Sequence, residues 1–278
     1  MRAAQNNILN IKSSKLMNSL FIGNFKAAFS GKGIEFQDFR EYSYSDDSRY
    51  IDWSVSSREQ RTIMRRYREE KQGNILSVVD ARESLEFGEN EKKEIYSNVL
   101  DLLYLASKSS NENFGGYILD NNTQTYIPPQ KSIVTLHKLK QLSHAYKSLN
   151  DSLSLDFIMS NRIKRSVIFV ISDNMSLDIK SFKIAAMKHD IVFVHVSSHF
   201  ENTLQGTGIS RLKGLSKGYN INLDNESKRV KYIKARKNKL STFSRELKKI
   251  GIDSIFLDEK TSIYSEFLRL MKQREKSN

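Results

Sequence analysis

Apolar residues along the chain follow two patterns. Three short runs come first: Asn74 to Asp80 (Asn-Ile-Leu-Ser-Val-Val-Asp), Ser166 to Asp173 (Ser-Val-Ile-Phe-Val-Ile-Ser-Asp) and Asp190 to Val196 (Asp-Ile-Val-Phe-Val-His-Val). Runs of this length, rich in Val and Ile, predict strands buried on both faces, as in a parallel sheet. Phe114 to Asp120 and Ile252 to Leu257 are weaker examples. Between them, Ile95, Val99, Leu102, Leu103 and Ala106, then Ile133, Leu136, Leu139, Leu142 and Tyr146, keep helical spacing. Strands alternating with helices predict an α/β domain, a mostly parallel sheet flanked by helices whose ligands bind beyond the carboxyl ends of the strands. Asp80 and Asp173 fall at such ends.

Residues 31–72 fit neither period. Phe36, Phe39, Tyr42, Tyr44, Tyr50, Trp53 and Tyr67 crowd among Arg40, Asp46, Asp47, Arg49, Asp52 and Arg58. An irregular stretch of this length predicts a small lobe of its own. Within it Arg40, Arg49 and Arg58 are expected to satisfy Asp46, Asp47 and Asp52, and Trp53 to seed a satellite core. The boundaries drawn are 1–72, an N-terminal helix and irregular segment packing on the main domain, and 73–278, the α/β domain with basic C-terminal helices.

Composition narrows the chemistry. The 278 residues hold 45 Lys+Arg against 32 Asp+Glu, a net charge of +13, and no cysteine. The absence of thiols removes disulfides, thiolate-held zinc, iron–sulfur clusters and a cysteine nucleophile. Val167 to Ile171 is the longest clearly apolar run, far short of the roughly 20 residues of a spanning helix. The polar N-terminus, with Gln5, Asn6 and Asn7, lacks the pattern of a signal peptide, so a cytoplasmic protein is expected. No Gly-x-x-x-x-Gly-Lys-Ser/Thr loop and no Gly-x-Ser-x-Gly elbow occurs, which leaves nucleotide binding and a hydrolase triad without support.

The irregular stretch also carries a motif. Gly31, Gly33, Glu35, Phe36, Arg40 and Tyr42, then Asp46, Asp47, Arg49, Asp52 and Trp53, then Arg58, resemble the signature of the domain of unknown function 58 family. The resemblance extends to Tyr67-Arg-Glu69-Glu70, to Ile171-Ser172-Asp173 and to Glu201, Leu204 and Gly206. It implies a von Willebrand factor A-like domain working with a MoxR-type AAA+ ATPase, and with other von Willebrand factor A-domain proteins.

In metal-binding members of that wider fold, Asp-x-Ser-x-Ser after the first strand, with a later Thr and Asp, forms a metal-ion-dependent adhesion site for a divalent cation such as Mg²⁺. Here the stretch is Asp80-Ala81-Arg82-Glu83-Ser84. Arg82 replaces the middle serine, and a guanidinium has no lone pair to donate. Asp173 matches the last acid, and only Ser152 or Ser154 falls where the threonine is expected. The resemblance therefore implies a degenerate site without metal or other cofactor, in which Arg82 pairs with Asp80 or Asp173. Asp80, Arg82, Ser84 and Asp173 become candidates for partner binding.

Lys228 to Lys249 carries ten basic residues against the single acid Glu246, interleaved with Val230, Ile233, Leu240, Phe243, Leu247 and Ile250 at helical spacing. Lys228, Arg229, Lys231, Lys234, Arg236, Lys237 and Lys239 make it a basic patch. A patch of this kind suits a solvated helix face, nucleic acid or an anionic surface. His137, His144, His189, His195 and His199 lack metal-ligand spacing, and His195 reads as a satisfied core histidine. No catalytic constellation emerges. The expected function is a non-catalytic adaptor or scaffold, chaperone-like, with nucleic-acid or anionic-surface binding through 228–249 as the alternative.

Overall fold

The computed structural model describes residues 24–25, 28–29, 34–44, 46–69, 73–82, 84, 91–120, 123–145, 152–160, 163–213 and 218–276. They divide into two units, residues 30–72 and the remainder.

The smaller unit pairs β1 (Ile34–Glu41) with β2 (Ile63–Glu69) in antiparallel register. A shift between Phe36 and Asp38 interrupts the ladder. One extra residue flips the side-chain alternation, which is why no period of two runs through the sequence here. Between the strands lie a 3₁₀ turn, Ser48–Tyr50, and α1 (Trp53–Glu59). The expected irregular lobe is therefore a β-ribbon with a short helix.

The larger unit is built on a six-stranded sheet: β3 (Asn74–Asp80), β4 (Asn113–Leu119), β5 (Gln124–Gln130), β6 (Val167–Ser172), β7 (Asp190–Val196) and β10 (Asp253–Leu257). Their spatial order is β10-β7-β6-β3-β4-β5. All pairs are parallel except the edge pair β4–β5. The order reverses at β3, so the connections leaving the carboxyl ends of the paired strands β3 and β6 run to opposite halves of the sheet. Pro128 and Pro129, the only prolines, lie on the edge strand β5, where a missing N–H is tolerated. They sit beside a register shift between Phe114 and Gly116. A Cβ at Gly116 would collide with the Ser77 carbonyl, so only glycine lets β4 approach β3 this closely.

Alternate residues of each strand feed two cores. Ile75, Val79, Phe114, Phe169, Ile171, Val192 and Val194 face one side. There α2 (Glu91–Ser110), α3 (Ile133–Ala145) and α8 (Ile263–Glu275) cover them, with Phe267 stacking on Phe169 at 5.8 Å. Phe25 and Phe29 join this core at 6.2 and 5.5 Å from the Phe169 ring, so the sequence segment drawn as 1–72 divides near residue 30. Leu76, Val78, Ile168, Val170 and Phe193 face the other side, covered by α4 (Asp156–Ser160), α5 (Ile179–Lys188) and α7 (Glu226–Lys249). A short α6 (His199–Thr203) and a hairpin of β8 (Ile209–Lys213) and β9 (Gly218–Asn222) separate β7 from α7. At the opposite end of the sheet, Arg274 from α8 bonds both Asp190 oxygens at 2.7 and 2.9 Å and Asp253 at 2.7 Å, and its guanidinium lies 4.5 Å from the Phe29 ring centre. No helix among the described residues is long and apolar enough to cross a membrane.

Candidate interaction site at the strand ends

Parallel strands deliver their last residues to one edge, and here they deliver charge. Asp80 ends β3 and is buried, its Oδ2 accepting a 2.7 Å hydrogen bond from Ser172 Oγ at the end of β6. The next residue of that second strand end, Asp173, is also buried, and its Oδ2 accepts from Lys92 Nζ at 3.1 Å. The same ammonium donates to Glu201 Oε1 at 2.9 Å. Lys92 is 0% exposed, one of the largest fully buried side chains of the protein.

Local sequence explains each position. Lys92 lies in the first turn of α2, four residues before the buried Tyr96 and seven before Val99, so the helical repeat turns it inward. Glu201 belongs to a capping box at the start of α6: Ser198 Oγ accepts from the Glu201 N–H at 3.1 Å, and the Ser198 N–H donates to Glu201 Oε2 at 2.9 Å. The cap fixes the carboxylate so that its other oxygen meets Lys92. Arg236 of α7 stands 3.7 Å from Glu201 Oε2 and donates to Asn202 Oδ1 at 2.9 Å, while the Tyr232 hydroxyl donates to the Glu201 carbonyl at 3.0 Å.

Burial alone would raise the Asp173 carboxyl. The Lys92 ammonium, the Ser84 hydroxyl and the Arg82 guanidinium outweigh it and hold Asp173 below the usual carboxylate range. Burial, together with the Asp173 and Asp80 charges, pushes the Tyr96 phenol well above its ordinary value, so it stays neutral. Arg82 is buried in this cluster, its backbone N–H closing a 3.0 Å bond to the Asp80 carbonyl. The cation that bonds Asp173 is Lys92, which sequence reasoning missed. Its signal was a lysine on the inward stripe of an amphipathic helix, where an apolar residue is the norm.

Arg82 and Lys92 set two cationic groups beside the carboxylates that a divalent cation would need. Asp80 Oδ2 and Asp173 Oδ2 already accept hydrogen bonds, and Arg82 stands where a hydroxyl would be needed. Two fixed positive groups would face a third. Among the described residues no group of three or more His, Asp or Glu side chains is placed to hold a metal.

Beside the cluster a cavity of about 380 Å³ opens, lined by Asp80, Asp120, Asp156, Ser152, Asn174 and Phe157 among others. Ser154, the other hydroxyl candidate, donates to Asp156 Oδ2 at 2.9 Å. Asp120 follows β4, Asp156 starts α4, and among the described residues no lysine or arginine lines the cavity. Its described lining is acidic although the chain as a whole is basic.

The other expected sites lie elsewhere. In the smaller unit Arg40 bonds Asp46 and Arg49 bonds Asp47, each at 2.6 Å. Asp52 is different: it accepts from Arg65 at 2.7 Å, not from Arg58, and caps α1 through the Ser54 and Val55 N–H groups at 3.0 and 3.1 Å. Arg58 donates to the Ser54 carbonyl at 3.4 Å. Among the described residues Trp53 does not seed the expected satellite core: it is 72% exposed, and Phe39, Tyr44 and Tyr50 are exposed as well. Tyr42 meets the Tyr44 ring at 6.5 Å. Glu35 and Phe36 pair across the ladder with Arg68 and Tyr67, and Gly31 and Gly33 lie outside the described residues.

On α7, Lys228, Lys231, Lys234, Lys237 and Lys239 are exposed, while Arg229 and Arg236 are half-buried. Only Phe243 and Leu247 of its apolar stripe are buried, and Val230 is 57% exposed. The stripe is therefore fully buried only in the C-terminal half of the helix, while Ile233 in the other half is half-buried. His195 lies in the core between the Phe243 and Phe256 rings at 6.3 and 5.7 Å. It is not the satisfied histidine expected, since neither ring nitrogen finds a hydrogen-bond partner among the described residues. Burial first, with Arg236, Lys92 and Lys239 adding to it against the pull of Asp173, lowers it to about 3.

Numbered along the chain, the main sheet runs 3-2-1-4-5-6 with an antiparallel third strand, helices cover both faces, and acids end the first and fourth strands. This is a von Willebrand factor A-like domain. The chain belongs to the family described as protein of unknown function DUF58, whose model matches residues 38–241. Among solved structures it is similar to the conserved hypothetical protein BatB from Bacteroides thetaiotaomicron, at 12% identity over 73% of this chain and 99% of that one, with a TM-score of 0.42. An aerotolerance-related membrane protein from Bacteroides fragilis aligns at 9% identity over 74% and 100% of the two chains, TM-score 0.43. The SpRpn10 VWA domain aligns at 10% identity over 73% and 95%, TM-score 0.38. No curated protein matches the chain at a significant level.

Proposed function

We propose that this chain is a non-catalytic protein-interaction adaptor, working in the cytoplasm with a MoxR-type AAA+ ATPase in the assembly or remodelling of other proteins. Its docking face is the carboxyl ends of β3, β4 and β6. One observation carries the reading: an acidic cavity opens beside an ion network in which Asp80, Asp173 and Glu201 are already held by Ser172 and Lys92. Side chains committed to each other in this way hold a surface in shape rather than turn over a substrate. The ATPase as partner comes from the family resemblance.

Affinity capture from native cytosol under ATP and under ADP, with mass spectrometric identification, tests the reading. An AAA+ ATPase should be the dominant protein retained, and the double substitution Asp120→Lys, Asp156→Lys should release it. Retention that ignores both substitutions would move the docking face elsewhere, and absence of any AAA+ ATPase would remove the partner.

The exposed lysines of α7, none of them in an ion pair among the described residues, support a second reading as a polyanion-binding helix about 36 Å long. Replacing Lys234, Arg236, Lys237 and Lys239 with Gln should then flatten a steep dependence of nucleic-acid affinity on salt, whose log–log slope is about −0.9 per phosphate neutralised.

A further inference from the structure

The strand ends raise the question of what joins them. In a metal-binding domain of this fold a divalent ion would lie between the carboxylates after the first and fourth strands. Here those acids are Asp80 and Asp173, and a side chain already reaches the second of them. The Lys92 ammonium bonds Asp173 at 3.1 Å and Glu201 at 2.9 Å, and its side chain is 1% exposed. Two carboxylates therefore hold the ammonium at a place closed to water. Its three donors need no coordination number and accept N···O distances near 3 Å, where Mg²⁺ would demand about 2.1 Å and near-octahedral order.

Among the described residues of the cluster, three acids meet three cations. Asp80, Asp173 and Glu201 face Lys92, Arg82 and Arg236. A divalent ion placed between Asp80 and Asp173 would meet Lys92 and Arg82, two positive groups already there.

We propose that Lys92 is a tethered replacement for the metal ion, whose ammonium joins the end of β6 to the start of α6, so that the strand-end face is assembled without a divalent cation. This holds whatever protein docks there. It also relocates the constraint: a metal ligates from the strand-end loops, whereas Lys92 is part of α2, so the face is tied to a helix on one side of the sheet and, through Glu201 and Arg236, to α7 on the other.

Mn²⁺ titration followed by electron paramagnetic resonance tests the proposal on the wild-type chain and on the double variant Arg82→Ser, Lys92→Ser. The wild type should bind no Mn²⁺ below millimolar concentration. The double variant, with hydroxyls in place of both cations, should gain about tenfold or more in affinity, equivalent to about 1.4 kcal/mol. Micromolar binding by the wild type, or a folded double variant that binds no more tightly than it, overturns the proposal. Acylation of the native wild type with acetic anhydride decides the matter if the variant does not fold. Lys92 should be the slowest lysine to react, far behind Lys231, and equally slow with Mn²⁺ or EDTA present. Ready modification of Lys92 in the native protein overturns the proposal.

Discussion

Acid should loosen this protein through His195 before it reaches the carboxylates. The imidazole lies in the core, 1% exposed, and its pKa falls from 6.5 to about 3. At pH 7 the folded histidine is neutral and the unfolded one mostly so, and little stability is at stake. Below pH 6.5 the unfolded chain takes up a proton that the folded one refuses, so stability is lost as pH falls from 6.5 toward 3. By pH 5 the difference amounts to about 2 kcal/mol, at 1.36 kcal/mol per unit. His189, buried and lowered to about 4, adds a loss of the same sign and about the same size over that interval. Asp46, Asp47, Asp52, Asp173 and Asp258 are all held below their ordinary values, so their contribution is present above about pH 4 and fades only at lower pH. Urea unfolding at pH 7 and pH 5 reads the effect directly through the midpoint at constant slope. The wild type should lose about 4 kcal/mol between the two and His195→Leu about half of that, since leucine suits the place between Phe243 and Phe256. Equal losses in wild type and variant would refute the assignment, and so would a wild type whose stability is flat across the window.

Two further substitutions probe the framework. Arg274→Ala should cost about 2–4 kcal/mol in a urea melt, because it strips Asp190 and Asp253 of their shared partner and removes the cation from the Phe29 face. Arg274→Lys should recover less than half, since a point charge cannot reproduce a paired fork, and a loss below about 0.5 kcal/mol for Ala would show the clamp to be idle. Trp53→Ala should change stability by no more than about 0.5 kcal/mol, as befits an exposed side chain, and a loss of about 3 kcal/mol would require Trp53 to be buried.

The strands of the main sheet were legible because they are buried on both faces. Asp190 to Val196 is a strand to the residue, and Asn74 to Asp80, Ser166 to Asp173, Phe114 to Asp120 and Ile252 to Leu257 agree within a residue at either end. The edge strand β5 escaped because its outer residues alternate weakly and two prolines interrupt it. The β1–β2 ribbon escaped because its bulge breaks the period. At the site, Asp80, Arg82 and Asp173 could be located since each sits beside a strand end. Lys92 could not, because its role depends on α2 lying across that edge, a matter of tertiary packing that helical spacing alone does not contain. Asp52 was recognised as an acid needing a partner, but Arg65 lies on the facing strand of a ribbon that the sequence did not reveal.

Pro128 and Pro129 on β5 govern how another chain can attach. An unpaired sheet edge offers a row of N–H and C=O groups on which an extended segment can polymerise or dock as an added strand. Successive N–H groups of a strand point to opposite sides, so one of the two imino acids takes a donor from that row, and both fix the backbone at the fifth and sixth residues of the seven-residue edge. That end of the margin is thereby a poorer template for cross-β growth and for strand addition alike. Recognition on this side of the molecule must be made by side chains meeting side chains.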